Sequence, residues 1–238
     1  MHIARFLLPL AALALAACAP APVPAVSAVA SPQEAFWQAL SSHCGKAYAG
    51  GLASTDARDA DWAGKRMVAH WAECDETRVA IAFHVEEAPP SSGSEAVGRT
   101  ETPSGSEAVG QEQSWNRSRT WIVTREGTGA DTRFTLKHDH RHADGEAYAV
   151  TFYGGTTADA GSASAQDFPV DAESVTLFTR EGLGASLTNV WRIEVTPRGS
   201  ADADFAYQLT RRNDPTRLFR VEIDASAPVE TPPAAWGW

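Results

Sequence analysis

The chain has 238 residues, with 30 Asp and Glu against 20 Lys and Arg, for a formal charge of -10. A field of that sign repels phosphate backbones and anionic lipid surfaces, so no nucleic-acid partner is expected. The length suits one domain with a full core. The sequence holds no Gly-x-Ser-x-Gly, no His-Glu-x-x-His, no phosphate loop and no dinucleotide fingerprint.

Residues 1–17 carry one basic side chain, Arg5, followed by the apolar run Phe6 to Leu15. The run is too short for a permanent membrane helix and reads as a processed export signal. Its end, Leu15-Ala16-Ala17-Cys18, resembles the lipobox of bacterial lipoproteins, where small residues admit the peptidase and the cysteine sulfur takes the lipid. The resemblance implies a mature chain that begins at diacylated Cys18 and meets the membrane through a lipid anchor, each buried methylene contributing about 0.8 kcal/mol. Ala19, in place of an aspartate, implies the outer membrane of a Gram-negative cell envelope. An ordinary secretory signal is the alternative, and it too exports the protein. Removal of residues 1–17 takes away Arg5 and no acid, which moves the charge to -11.

Residues 18–31 are rich in Ala, Pro and Val and read as a tether. Extended at about 3.1 Å per residue, it would hold a domain up to about 40 Å from the membrane. Ser31-Pro32-Gln33-Glu34 then supplies a cap, a first-turn proline and acidic charge ahead of Ala35 to Leu40, a helix start. Export to an oxidising compartment favours a bridge between Cys44 and Cys74.

Beyond Gly45 a two-residue alternation takes over, and it predicts strands at Arg66–Cys74, Arg78–Val85, Ser118–Arg125, Arg133–His142, Ala147–Tyr153, Ser174–Thr179, Val190–Thr196, Phe205–Arg211 and Leu218–Asp224. About nine strands in sequence predict a mainly β domain over 32–225, an antiparallel meander closed as a barrel or folded as a sandwich, with one short N-terminal helix. That layout resembles a calycin barrel, although the lipocalin Gly-x-Trp signature is missing from its place. Within 87–116, Ser92-Gly93-Ser94-Glu95-Ala96-Val97-Gly98 returns as Ser104-Gly105-Ser106-Glu107-Ala108-Val109-Gly110, the mark of a disordered duplicated loop. The tail 226–238 ends in Trp236-Gly237-Trp238, suited to packing on the barrel or to contact with a membrane or a partner.

In Phe134 to His142, histidines stand at 138, 140 and 142, and on a strand they share one face. A three-residue loop at Ala143-Asp144-Gly145 sets a register with His142 opposite Glu146, His140 opposite Tyr148, His138 opposite Val150 and Leu136 opposite Phe152. That register turns His138 and His140 inward, leaves His142 near the rim and puts Lys137, Asp139 and Arg141 on a solvent face. Inward imidazoles need partners. These are interior polar groups such as Tyr148 or a strand carbonyl, or a zinc ion on the His-x-His pair with His84 or His70 from another strand, or a small ligand or haem in a pocket. Arg119, Arg125 and Tyr153-Gly154-Gly155 read as a solvated ladder and a loop start.

Together, Cys44-Gly45-Lys46-Ala47-Tyr48, Ser118-Arg119-Thr120-Trp121 and Leu136 to His142 are similar to a group of bacterial secreted proteins, a likeness that carries no activity. The reading is therefore a lipid-anchored envelope protein whose barrel binds a small ligand or metal. A structural or interaction lipoprotein holding an envelope protein, or a metal-assisted hydrolase, are the alternatives.

Overall fold

The computed structural model describes residues 30–87 and 114–238. The leader, Cys18, nearly all of the tether and most of the duplicated loop lie outside the described residues.

Helix α1 spans Pro32–Ser41, where the Ser31 hydroxyl accepts the Glu34 N–H at 3.1 Å and Pro32 fills a first-turn position. Its buried side, Phe36, Trp37 and Leu40, enters one end of a barrel, with Trp37 stacked on Phe134 at 5.8 Å between centroids. The strands are β1 (Ala47–Leu52), β2 (Met67–Cys74), β3 (Arg78–Glu87), β4 (Ser114–Glu126), β5 (Arg133–His140), β6 (Tyr153–Thr156), β7 (Ala165–Pro169), β8 (Asn189–Val195), β9 (Asp204–Arg211) and β10 (Asp214–Asp224). All pair antiparallel in one sheet, in the order β6-β5-β4-β3-β2-β1-β10-β9-β8-β7. The ends of that order meet at a seam, bridged at Gly155 and Val170 and by the Asp171 N–H on the Gly154 carbonyl at 3.1 Å. Of the two expected arrangements the protein therefore adopts the barrel, nearly closed.

Alternation sorts the side chains. On β8, Asn189, Trp191, Ile193 and Val195 are buried while the residues between them are partly exposed. On β2, Met67, Ala69 and Trp71 face the core, which leaves His70 on the outer face. The sulfurs of Cys44 and Cys74 are joined, tying the turn after α1 to the end of β2.

Several sequence expectations need correction. Ser174–Thr179 is not a strand but lies in a second helix, α2 (Ala172–Arg180). Asp171 decides the matter: its carboxylate accepts the Ser174 N–H at 2.8 Å as an N-cap, and helical spacing then carries Phe178 into the barrel at 2% exposure. The expectation of a single helix falls with it. Strands β1 and β7 were invisible to alternation because Gly50, Gly51, Asp167 and Pro169 interrupt the apolar pattern.

The hairpin after β5 follows the expected register only at its tip, where Arg141 bridges Ala147 and the Tyr148 N–H donates to the His140 carbonyl at 3.0 Å. Farther along, His138 pairs with Tyr153 and Leu136 with Gly155, a shift of three residues. The surplus leaves as a bulge in which Phe152 adopts φ 53° and stands exposed. Ala147–Tyr153 is thus mostly irregular. Its rearrangement brings Gly154 and Gly155 to the seam, where a Cβ on Gly154 would lie 1.7 Å from the Leu136 carbonyl oxygen and one on Gly155 2.2 Å from that of Pro169. Only a residue without a side chain permits those approaches.

Candidate functional site

Opposite the end filled by α1, the barrel interior opens into a cavity of about 320 Å³. Inward residues of β3, β4, β5, β6, β8, β9 and β10 meet there, together with Phe178 of α2 and Asp59 and Trp62 from the turn at Ala57–Trp62. The walls are chiefly aromatic. Trp121 stacks between Phe83, at 4.5 Å, and Tyr207, at 4.3 Å, and Trp62 lies nearly parallel to Phe83 at 6.4 Å.

His138 sits at the inner wall at 2% exposure. Its Nδ1–H donates to the Tyr153 carbonyl at 3.0 Å, which fixes the tautomer because a carbonyl only accepts, so Nε2 receives the Tyr207 hydroxyl at 2.7 Å. Burial pushes the imidazole down to about 3, with His140 adding to the effect. His140 also lines the cavity and shares a hydrogen bond from Nε2 to the Tyr153 hydroxyl at 3.1 Å. Burial, then the nearby Arg119 guanidinium, hold it at about 4. Both rings are therefore neutral at physiological pH. Burial also raises the Tyr153 hydroxyl to about 12.

The inward direction expected for His138 and His140 is found, and His138 takes a strand carbonyl, that of Tyr153, one of the expected kinds of partner. Tyr148 is not the hydrogen-bond partner of His140; its ring is exposed and stacks on His142 at 3.7 Å, outside the cavity. Tyr153 takes the role because the three-residue shift moves it beside β5. His84 does not join the group either. It neighbours Phe83 on β3 and so points to the outer face, where it is buried near His70 and Trp115 with neither ring nitrogen hydrogen-bonded among the described residues. Burial, with His70 nearby, lowers it to about 4.

The His-x-His pair thus finds no third ligand: among the described residues no cluster of three or more His, Cys, Asp or Glu is arranged to hold a metal ion. His138 has no free ring nitrogen for zinc or haem iron, and the carboxylate on the cavity wall, Asp59, is taken up by Arg217, whose Nη2 donates to it at 2.8 Å.

The opposite side of β5 is not a solvated ladder. Asp139 is 1% exposed and accepts from Arg141 at 3.0 Å, Thr151 at 3.2 Å and the Trp238 indole N–H at 3.0 Å. The tail folds back over this face, with Trp238 against the Arg78 guanidinium and the Trp236 N–H on the Arg117 carbonyl at 3.0 Å. Lys137 pairs with Asp171 and Glu173 at the foot of α2.

Arg119 and Arg125 also depart from a solvated ladder. They follow the inward parity of Trp121 and Val123. Arg125 reaches α1 as an ion pair with Glu34, and Arg119 enters the cavity over the Trp62 ring at 4.8 Å. Asn189, Trp191, Tyr207, Arg211 and Arg217 complete the wall from segments far apart in sequence, so no local motif marks them. Alternation on β8 and β9 was the available signal, since it puts Asn189 with Trp191 and Tyr207 with Leu209 on the inner face. No protein-family model, curated protein or solved structure was found to match this chain.

Proposed function

We propose that this protein is a lipid-anchored component of the bacterial cell envelope whose barrel binds a small organic molecule in the cavity beside His138, His140 and Arg119. The carrying observation is the cavity itself: about 320 Å³ enclosed by aromatic walls, with a few convergent polar groups, at the open mouth of a barrel whose other end is filled. Its size lies at the small end of ligand pockets, which run from about 300 to 1,000 Å³, and such a mixture of apolar wall and sparse polar groups is their usual composition. Binding suits the wall better than hydrolysis does, because its imidazoles are neutral hydrogen-bonding groups and its carboxylate is paired. The anchor rests on Leu15-Ala16-Ala17-Cys18.

Titration of the purified chain with neutral N-phenyl-1-naphthylamine, followed by its fluorescence, tests the cavity. Saturable one-to-one binding, abolished by Leu209→Trp with an unchanged circular dichroism spectrum, is expected. Binding that Leu209→Trp leaves untouched refutes the site. Incorporation of labelled palmitate, lost in Cys18→Ala, tests the anchor.

A further inference from the structure

We infer that the cavity is built for an anion: a small molecule with a planar aromatic body whose carboxylate, or a similar oxyanion, seats on Arg119. The inference rests on the reading of the cavity as a ligand site and adds the charge and shape of what enters it.

Charge carries the first part. Among the described residues the wall holds three guanidiniums, Arg119, Arg211 and Arg217, and one carboxylate, Asp59. Arg217 takes Asp59 in a two-armed pair. Arg119 donates from Nη1 to neutral acceptors, Asn116 Oδ1 at 3.3 Å and Ser118 Oγ at 3.1 Å, and Arg211 donates from Nε to Asn189 Oδ1 at 3.0 Å. Neither has an ion-pair partner among the described residues, in a chain that carries -10 overall. Burying a cation without a counter-charge is costly, so an acidic protein that keeps Arg119 in a cavity wall, with the less buried Arg211 on the same wall, leaves a place for an anion. Burial lowers the guanidinium of each from its ordinary value; for Arg211 the nearby Arg217 and Arg58 add to that, and Asp214 and Asp59 oppose it. His138 and His140, both neutral, add nothing to that field.

Geometry carries the second. Stacking on Trp62 orients the Arg119 fork, and its Nε and Nη2 are not engaged by Asn116 or Ser118. A planar fork of this kind matches a carboxylate with two parallel hydrogen bonds, which a lysine could not supply. The apolar wall is a rigid aromatic set, Trp62, Phe83, Trp121 and Tyr207 held ring against ring, and it suits a flat aromatic body, which meets ring edges without the ordering cost of a flexible chain.

Calorimetric titration of the full chain with 2-naphthoate, 2-naphthamide and octanoate reads all parts at once. Loss of a charge-assisted pair in a desolvated site should weaken binding at least about 10-fold, so naphthoate should bind that much more tightly than naphthamide. Arg119→Gln should erase the difference and Arg119→Lys restore only part of it. Naphthamide binding as tightly as naphthoate overturns the anion while the cavity reading stands. Octanoate binding more tightly than naphthoate overturns the aromatic body. Failure of all three and of N-phenyl-1-naphthylamine overturns the cavity together with the inference. Should Arg119→Gln not fold, the acid-to-amide ratio of the unaltered chain, and its decline with added salt, decides the question.

Discussion

Mild acid should weaken this barrel by several kcal/mol before its carboxylates begin to titrate. His138, His140 and His84 are held at about 3, 4 and 4, each by burial first. In the unfolded chain all three return to about 6.5. A base whose folded value is depressed binds fewer protons when folded, so its stabilising contribution is complete above pH 6.5 and drains away as the pH falls toward the folded value. Between pH 7 and pH 5 each imidazole should cost about 2 kcal/mol and the three together about 6 kcal/mol, against a total of about 5–15 kcal/mol for an ordinary domain. His43 and His70, also lowered by burial, act in the same direction. Asp56 and Asp214, held down by neighbouring hydrogen bonds and ion pairs, lose their contribution only near and below pH 4 and leave this window clean. Urea unfolding midpoints at pH 7, 6 and 5 measure the effect, and His138→Gln should remove about a third of the three-histidine share of the pH dependence while lowering stability at pH 7. A midpoint that is flat across the window, or a slope unchanged in His138→Gln, refutes the reasoning.

Cys74→Ser should lower unfolding free energy by about 3–4 kcal/mol, the chain entropy of a loop of this size, measured by urea denaturation with and without reductant. Gly154→Ala drives a methyl into the Leu136 carbonyl, and a loss of about 3 kcal/mol or more, with faster amide exchange along β6, is expected by hydrogen-exchange mass spectrometry. Trp238→Phe keeps a ring near Arg78 but removes the N–H from buried Asp139; a drop of about 1–3 kcal/mol in thermal or urea unfolding is expected, and no change would show that the tail does not hold this face.

Local patterns made part of this protein legible. Alternation located most of the strands, Ser31 and Pro32 located α1, and the two-residue spacing of the histidines put His138 and His140 on one face, because each feature depends only on residues within one element. The hairpin tip was legible for the same reason, since Ala143-Asp144-Gly145 sets its geometry within a few residues. Ser174–Thr179 misled because its β-branched residues resemble a strand until Asp171 caps them as a helix.

Tertiary structure decided what depends on distant neighbours. The three-residue shift that gives His140 Tyr153 instead of Tyr148 belongs to the seam, where Gly154 and Gly155 must fit under Leu136 and Pro169. Asp139 is buried because a tail 99 residues away folds over it. Arg119 is a cavity cation because closing the sheet sets Trp62 beneath it and, among the described residues, provides no carboxylate for it. The sequence by itself determined which face of each strand is apolar; only barrel closure decided which side chains from seven strands meet at one mouth, because strand pairing makes neighbours of residues that no sequence interval connects.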